Sequence, residues 1–134
     1  MAADGLITIR SNYGPAETMS RLQAAVTSKG MTVFAHVDHA AGARFAGLEL
    51  RPTDLLIFGN AKGGTPLMQM AQTVGIDLPL KALVWEDSAG VTWLSYNDPA
   101  WLAKRQELGA EAGATVEAMR AGLAALAKAA TAPP

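Results

Sequence analysis

Alternating apolar and polar positions divide the first half of the chain into short strands and amphipathic helices. Residues 6–11 are rich in β-branched side chains and precede turn residues, which predicts a strand. Residues 15–28 begin with proline and carry an apolar stripe at helical spacing, which predicts a helix. Residues 31–38 alternate again and predict a second strand. Asp38 is then the expected N-cap of a short helix that Gly47 ends.

An unbroken apolar run predicts the third strand. Leu55 to Phe58 is typical of a strand buried on both faces. The glycine-rich segment 59–64 that follows is expected to be a loop. Thr65 is the expected N-cap of the next helix, which Gly75 ends.

A hairpin and a long helix complete the predicted pattern. Residues 80–86 and 91–97 form two strands separated by a tight turn. Over residues 107–130, apolar side chains recur at alternating spacings of four and three, which predicts a long helix. Such a helix needs a broad apolar surface to cover, and an antiparallel sheet provides one. We therefore expect one α+β domain over residues 1–130, with a frayed tail at 131–134.

Composition excludes several classes of protein without naming a reaction. The 134 residues are 50% apolar, carry 11 basic and 12 acidic side chains, and include no cysteine. Disulfides, thiol catalysis and cysteine metal sites are therefore excluded. Because the charges are scattered and the net charge is −1, we expect no nucleic-acid partner and no membrane partner. The sequence assigns no compartment and is compatible with a cytoplasmic or a periplasmic location.

Several separated motifs resemble one known family. In chain order they are Asp38-His-Ala-Ala-Gly-Ala, Gly47-Leu-Glu-Leu-Arg-Pro-Thr53, Phe58-Gly-Asn, Gly64-Thr-Pro-Leu-Met68, Asp77-Leu-Pro-Leu-Lys81, Leu83-Val-Trp-Glu-Asp87 and Tyr96-Asn-Asp-Pro99. They are similar to the bacterial and archaeal family catalogued as domain of unknown function 302. The resemblance implies a β-α-β4-α domain similar to helix-grip folds, with a curved, mainly antiparallel five-stranded sheet packed on a long C-terminal helix. It also implies a homodimer, and it implies no established activity.

Histidine and carboxylate side chains near the end of the second strand are of the types that bind metals. His36, Asp38 and His39 are suitable zinc ligands, but their spacing separates His39 from the other two. We therefore expect Asp38 to cap a helix and no metal to bind. An enzymatic alternative stays open, in which His39 is a general base supported by Asp38 and Asn60, because histidine titrates near neutral pH.

The glycine-rich segment after the third strand is suited to a small anion. Backbone N–H groups of such segments and of helix N-termini attract negative charge. The segment is not a P-loop and the chain has no G-x-G-x-x-G motif, so we expect no nucleotide cofactor. The preferred hypothesis is a non-catalytic domain that binds a small ligand, such as an anion or a carboxylate, where the second and third strands end. Its expected site residues are Asp38, His39, Arg51, Asn60, Lys62, Thr65 and Asn97.

Large apolar side chains are assigned to packing, and small ones to an interface. We expect Trp85 and Trp93 to pack across paired strands, and Met31, Met68 and Met119 to fill the core. The chain has 27 alanines and few charges. The alanine-rich back of the last helix or an edge strand is therefore the expected homodimer interface.

Overall fold

A single antiparallel sheet organises the computed structural model, which describes residues 3–134. Its order across the sheet is β1-β5-β4-β3-β2, so β1 and β2 form the two edges. Every neighbouring pair is antiparallel. The predicted five strands and α+β class are confirmed. The strands are β1 (Leu6–Arg10), β2 (Thr32–Asp38), β3 (Thr53–Gly59), β4 (Leu80–Glu86) and β5 (Thr92–Asn97).

Five α-helices connect or cover these strands within the described residues. Pro15 begins the first of them, as predicted, because its fixed φ suits the first helical turn. Asp38 caps the second, and its Oδ1 accepts a hydrogen bond from Ala41 N at 2.8 Å. The helices are α1 (Pro15–Ser28), α2 (His39–Phe45), α3 (Ala61–Met70), α4 (Pro99–Arg105) and α5 (Gly113–Thr131), with short 3-10 helices at Gln72–Ile76 and Ala110–Ala112.

The main core lies between one face of the sheet and the pair of helices α1 and α5. Alternate strand residues point to the same face, so every second side chain of β3, β4 and β5 enters this core. Each fully buried apolar side chain contributes about 1.5–3 kcal/mol relative to an exposed one. The side chains that meet there include Leu22, Val26, Leu56, Phe58, Val84, Leu94, Leu123 and Leu126.

The C-terminus of α5 is hydrogen-bonded to the turn between β1 and α1. Thr131 is buried, and its carbonyl accepts hydrogen bonds from Asn12 N at 2.9 Å and Asn12 Nδ2 at 2.8 Å. Nearby, Ser11 Oγ and Thr18 Oγ1 lie 2.6 Å apart, and both side chains are buried. The predicted frayed tail is therefore wrong at Thr131, which is the last residue of α5.

The glycine-rich segment after β3 is helical, which corrects the predicted loop. α3 begins at Ala61 because Asn60 is the N-cap, and Asn60 Oδ1 accepts from Gly63 N at 2.7 Å. The predicted cap, Thr65, is inside the helix and precedes Pro66, which has no N–H to donate to the preceding turn. The helix ends at Met70 and not at Gly75. The sequence pattern missed this start because three of its first four residues are alanine or glycine, and glycine is typical of loops.

The predicted last helix begins six residues later than expected, at Gly113, because the chain reverses at Glu107. Glu107 has a φ of 55°, a left-handed conformation that separates α4 from the residues leading into α5. α4 was missed, although Asp98 Oδ1 caps it by accepting from Ala100 N at 2.9 Å. Leu108 and Ala112 keep the apolar spacing and pack in a second, smaller core with Val116. The spacing therefore continues through a turn that periodicity alone does not detect.

Candidate functional site

The predicted polar cluster does not form, because β2 and β3 are antiparallel. Asp38 at the end of β2 lies opposite Asp54 near the start of β3, whereas Gly59 at the end of β3 lies opposite Thr32. The two strand ends are therefore separated by the length of a strand, which is roughly 20 Å for seven residues. The grouping of the predicted site residues at one place is wrong for this reason.

Three of the predicted residues lie at the end of the sheet where β2 ends. Asp38 is engaged as the cap of α2, His39 is the first residue of that helix, and Arg51 precedes β3. All three side chains are exposed. Among the hydrogen bonds of residues 3–134, none joins any two of these side chains. Asn60 lies at the opposite end of the sheet, so it is not placed to support His39 as a general base.

The other four predicted residues lie at the opposite end of the sheet, where β3 and β5 end. Asn60 is the N-cap of α3, while Lys62 and Thr65 are exposed positions within its first two turns. Asn97 ends β5 opposite Leu6. Because its neighbour Tyr96 enters the core, Asn97 points to the other face of the sheet. Only Asn60 and Thr65 of the seven predicted residues line the cavity described next.

A cavity of about 460 Å³ opens at the end of the sheet where β3 ends, between the start of α3 and the first half of α5. The ends of β3 and the beginnings of β2 and β4 form its floor. Its polar side chains are Asn60, Thr65 and Thr115. Its large side chains are apolar, and they are Met31, Phe34, Met68, Leu78, Leu80, Met119 and Leu123. The three methionines, which were predicted to fill the core, pack against the two cores and also line this cavity.

Four glycines line the cavity. A Cβ on Gly63 would lie 3.3 Å from Asn60 Oδ1, and one on Gly64 would lie 3.3 Å from Leu78 Cδ1. A Cβ on Gly122, in the middle of α5, would meet no atom within 4 Å and would enter open space. Gly59 has a φ of 156°, which side chains rarely allow. Clustered glycines on a strand end and two facing helices were the one sequence feature that could have located the cavity.

The polar rim of the cavity is the N-terminus of α3. Asn60 Oδ1 is engaged with Gly63 N, which directs its amide nitrogen to other partners. Gly64 N donates to Asn60 O at 3.1 Å, so the backbone N–H groups of Ala61 and Lys62 are the ones left without a helical acceptor. The positive end of the helix dipole adds to these donors. The rim therefore favours an acceptor or a negative charge, while the cavity interior favours apolar atoms.

Other polar and aromatic features lie outside the cavity. His36 Nε2 is 3.1 Å from Asp54 Oδ1 at the edge of the sheet. No group of three or more metal-ligating side chains suited to an ion occurs within residues 3–134. Trp85 and Trp93 face each other across β4 and β5 with ring centroids 6.2 Å apart, so the predicted cross-strand packing is confirmed.

Burial and hydrogen bonds shift the pKa of a few groups away from the cavity. Burial, and to a smaller extent the nearby Asp98 carboxylate, raises the pKa of the Tyr96 hydroxyl. A hydrogen bond from Trp93 Nε1 is the main cause of a lowered pKa at Asp87. Neither residue lines the cavity, so these groups do not supply it with an acid or a base.

The fold and the cavity define a class of protein: an α+β domain with one antiparallel sheet, two helices across one face and a mainly apolar cavity at the sheet edge. The chain belongs to the family described as Domain of unknown function DUF302, which matches residues 7–126. It is also similar to the crystal structure of an uncharacterized conserved DUF302 protein from Bacillus stearothermophilus, with a TM-score of 0.85 and 21% identity. That similarity covers 96% of this chain and 99% of the other, and it shows the fold alone.

Curated relatives are longer proteins from Brucella. The chain is 51% identical over 124 residues to "Fluoride-specific ion channel FluC 1" of Brucella suis and to the protein of the same name in Brucella abortus. The match covers 92% of this chain, 49% of the first relative and 46% of the second. The chain therefore spans about half the length of these relatives. Among residues 3–134, none of the helices combines the length and the apolar character needed to cross a membrane.

Proposed function

We propose that this domain is a non-catalytic binding domain for a small amphipathic ligand, held in the cavity between α3, α5 and the end of the sheet where β3 ends. The observation that carries the proposal is the cavity itself. Its volume of about 460 Å³ falls in the range of about 300–1,000 Å³ that is usual for small-molecule sites. Mostly apolar walls with a few convergent polar groups are also usual for such sites.

The division between apolar walls and a polar rim favours a ligand with two parts. Met31, Leu78 and Met119 would contact an apolar body. Thioether side chains adapt to ligands of irregular shape, because methionine is unbranched and polarisable. A carboxylate or another acceptor at one end of the ligand would lie at the N-terminus of α3, near Asn60 and Thr65. An amphipathic carboxylate therefore satisfies both parts of the site.

A bare inorganic anion fits the cavity less well. The curated relatives are named as fluoride channels, so fluoride is a necessary probe for this chain. An ion that leaves water for mainly apolar walls loses its hydration without gaining equivalent partners, which is unfavourable. We therefore expect fluoride, acetate and phosphate to bind weakly, and decanoate to bind more tightly than any of them.

The test is displacement of the apolar fluorescent dye ANS from the folded domain. We expect the dye to bind with increased emission, and decanoate and decanol to displace it. Decanoate should be more effective than decanol, because only the carboxylate carries a charge toward the helix N-terminus. Displacement by fluoride or phosphate at concentrations where decanoate has no effect would contradict the proposal. So would a folded domain that does not bind the dye.

Matched variants on α5 separate binding in the cavity from binding elsewhere. Gly122 lines the cavity, so Gly122→Phe should fill part of it and abolish dye binding. Gly113 begins the same helix, also borders open space and does not line the cavity, which makes Gly113→Phe the control. We expect the control variant to bind the dye as the wild type does. Equal dye binding by both variants would place the dye outside the cavity.

We also propose that the chain acts as a homodimer, as the family resemblance implies. Exposed large apolar side chains support this proposal, and Phe45, Leu48 and Leu50 are the main ones in a single segment. Contiguous exposed apolar groups commonly mark protein interfaces.

A further inference from the structure

β2 is an open edge of the sheet with the side chains of an interface strand. β3 pairs with one side of β2, and no strand within residues 3–134 pairs with its other side. Six of its seven residues are exposed, among them Val33, Phe34 and Val37. Edge strands are commonly protected by lysine, proline or a β-bulge. β2 has a bulge between Val33 and Ala35 but no lysine or proline, so the regular residues 35–38 remain open to pairing. Its unpaired backbone groups are therefore a template for another strand.

The connection from β2 to β3 carries an exposed group of apolar side chains, which we call the apolar arm: Phe45, Leu48 and Leu50. Phe45 is 98% exposed at the end of α2, and Leu48 is 66% exposed in the segment that follows. The arm is continuous with β2, because Asp38 both ends the strand and caps α2. An apolar group of this extent is stabilised when another surface covers it.

We infer that two copies of this chain pair through β2, antiparallel and centred on Ala35, and that the apolar arm of each copy closes the cavity of the other. The second part rests on the ligand-binding function proposed above. Two-fold pairing sets the Asp38 end of one strand beside the Thr32 end of the other. The arm continues from the Asp38 end, and the cavity opens beside the Thr32 end, where Phe34 lines it.

Charge favours antiparallel pairing of the two β2 strands over parallel pairing. Asp38 is the acidic residue of β2, and antiparallel pairing places the two copies of it at opposite ends. Parallel pairing in register would set these like charges side by side, which is destabilising. With Ala35 at the centre, His36 faces Phe34 across the new pair, so no like charges are opposed. The bulge places Val33 and Val37 on opposite faces of the sheet, so these two side chains do not face each other.

The exposed apolar area is of the size that a stable dimer needs. A fully exposed large side chain presents about 150–200 Å², so the exposed fractions of the six contributing side chains amount to roughly 500–700 Å² per copy. Backbone and neighbouring polar atoms add to this area, and a standard interface buries about 800 Å² per partner. The six side chains are Val33, Phe34, Val37, Phe45, Leu48 and Leu50.

The first experiment measures the mass of the chain by light scattering, without any ligand. We expect a dimer of two 13.9 kDa chains. Phe45→Glu should raise the dimer dissociation constant at least about tenfold, because an anchor of the interface is lost. Circular dichroism checks that this exposed substitution leaves the fold intact. The matched control is Ile76→Glu, since Ile76 is 74% exposed but lies in the 3-10 helix after α3. A monomeric wild type, or an unchanged dissociation constant for Phe45→Glu, would overturn the inference.

The second experiment tests the centre of the β2 pair by cross-linking. The chain contains no cysteine, so Ala35→Cys introduces a single thiol. Opposite residues of an antiparallel pair have Cα atoms about 4.5–5.5 Å apart, which is within the range of a disulfide. We expect Ala35→Cys to form a covalent dimer on oxidation. Leu6→Cys, on the other edge strand, is the control that should remain unlinked. Absence of the link at Ala35 refutes the proposed register.

The third experiment mixes two variants that each lack a working site. Gly122→Phe fills the cavity and keeps the arm, whereas Phe45→Glu keeps the cavity and loses the arm. A mixed dimer then has one intact cavity closed by one intact arm. Random mixing at chain concentrations above the raised dissociation constant of Phe45→Glu restores about a quarter of the wild-type sites. No recovery of ANS binding would exclude a shared site. If the wild type itself does not bind the dye, the proposed function fails, while mass and cross-linking still decide the dimer.

Discussion

Gly122→Ala is expected to stabilise the domain while weakening its ligand site. Gly122 is the tenth residue of the 19-residue helix α5. Alanine in place of glycine in a helix interior contributes about 0.5–1 kcal/mol, because glycine loses more backbone entropy on folding. The new Cβ meets no atom within 4 Å, so no clash offsets this gain. For a domain of this size, the increase corresponds to roughly 2–4 °C in Tm.

The same methyl group enters the space that the ligand occupies. Overpacking of a filled site costs about 1–3 kcal/mol, so the affinity for ANS or decanoate should fall at least about fivefold. Thermal unfolding followed by circular dichroism measures the first effect, and dye titration measures the second.

A swap variant separates helix propensity from cavity volume. Ala121 is exposed beside Gly122, so Ala121→Gly combined with Gly122→Ala keeps the glycine content of α5 constant. The swap should melt within about 2 °C of the wild type, because the two propensity changes cancel. Its dye affinity should still fall as in the single variant. A lower Tm for Gly122→Ala, or wild-type dye affinity in the swap, would refute the reasoning.

Two further predictions concern stability. The hydrogen bond from Trp93 Nε1 to Asp87 Oδ2, 2.8 Å long, is the main cause that lowers the pKa of this carboxyl below its ordinary value in the folded state. The stabilisation by the Asp87 carboxylate is therefore present above its unfolded pKa and is lost as the pH falls through its folded pKa. The Asp87→Asn variant should accordingly lose less stability on acidification than the wild type, as measured by urea midpoints. Identical acid dependence of the two proteins would contradict this. Gly64→Val should lower Tm more than Lys62→Ala, because a Cβ at Gly64 lies 3.3 Å from Leu78 Cδ1 whereas Lys62 is exposed, and equal melting temperatures would count against it.

Local sequence patterns determined most of the elements of this domain. Apolar alternation located the strands, and Pro15 and Asp38 located the starts of two helices, because capping and side-chain alternation depend on residues a few positions apart. The separated motifs were sufficient for the family, which the match over residues 7–126 confirms. The same local view failed at Asn60 and Glu107, where a cap with glycine-rich followers and a left-handed residue run against common preferences.

The site was decided by tertiary structure. Asp38 ends β2 and Asn60 follows β3, but antiparallel pairing of β2 and β3 places these two strand ends a full strand length apart, at opposite ends of the sheet. Periodicity shows which face a side chain occupies and contains no information about which strands pair or in which direction. The cavity joins Phe34, Leu78 and Met119, which are far apart in sequence. In the sequence, an apolar side chain that borders a cavity shows the same periodicity as one in a filled core, because both are buried against distant elements. Only the packing of α3 and α5 over the end of the sheet distinguishes the two cases.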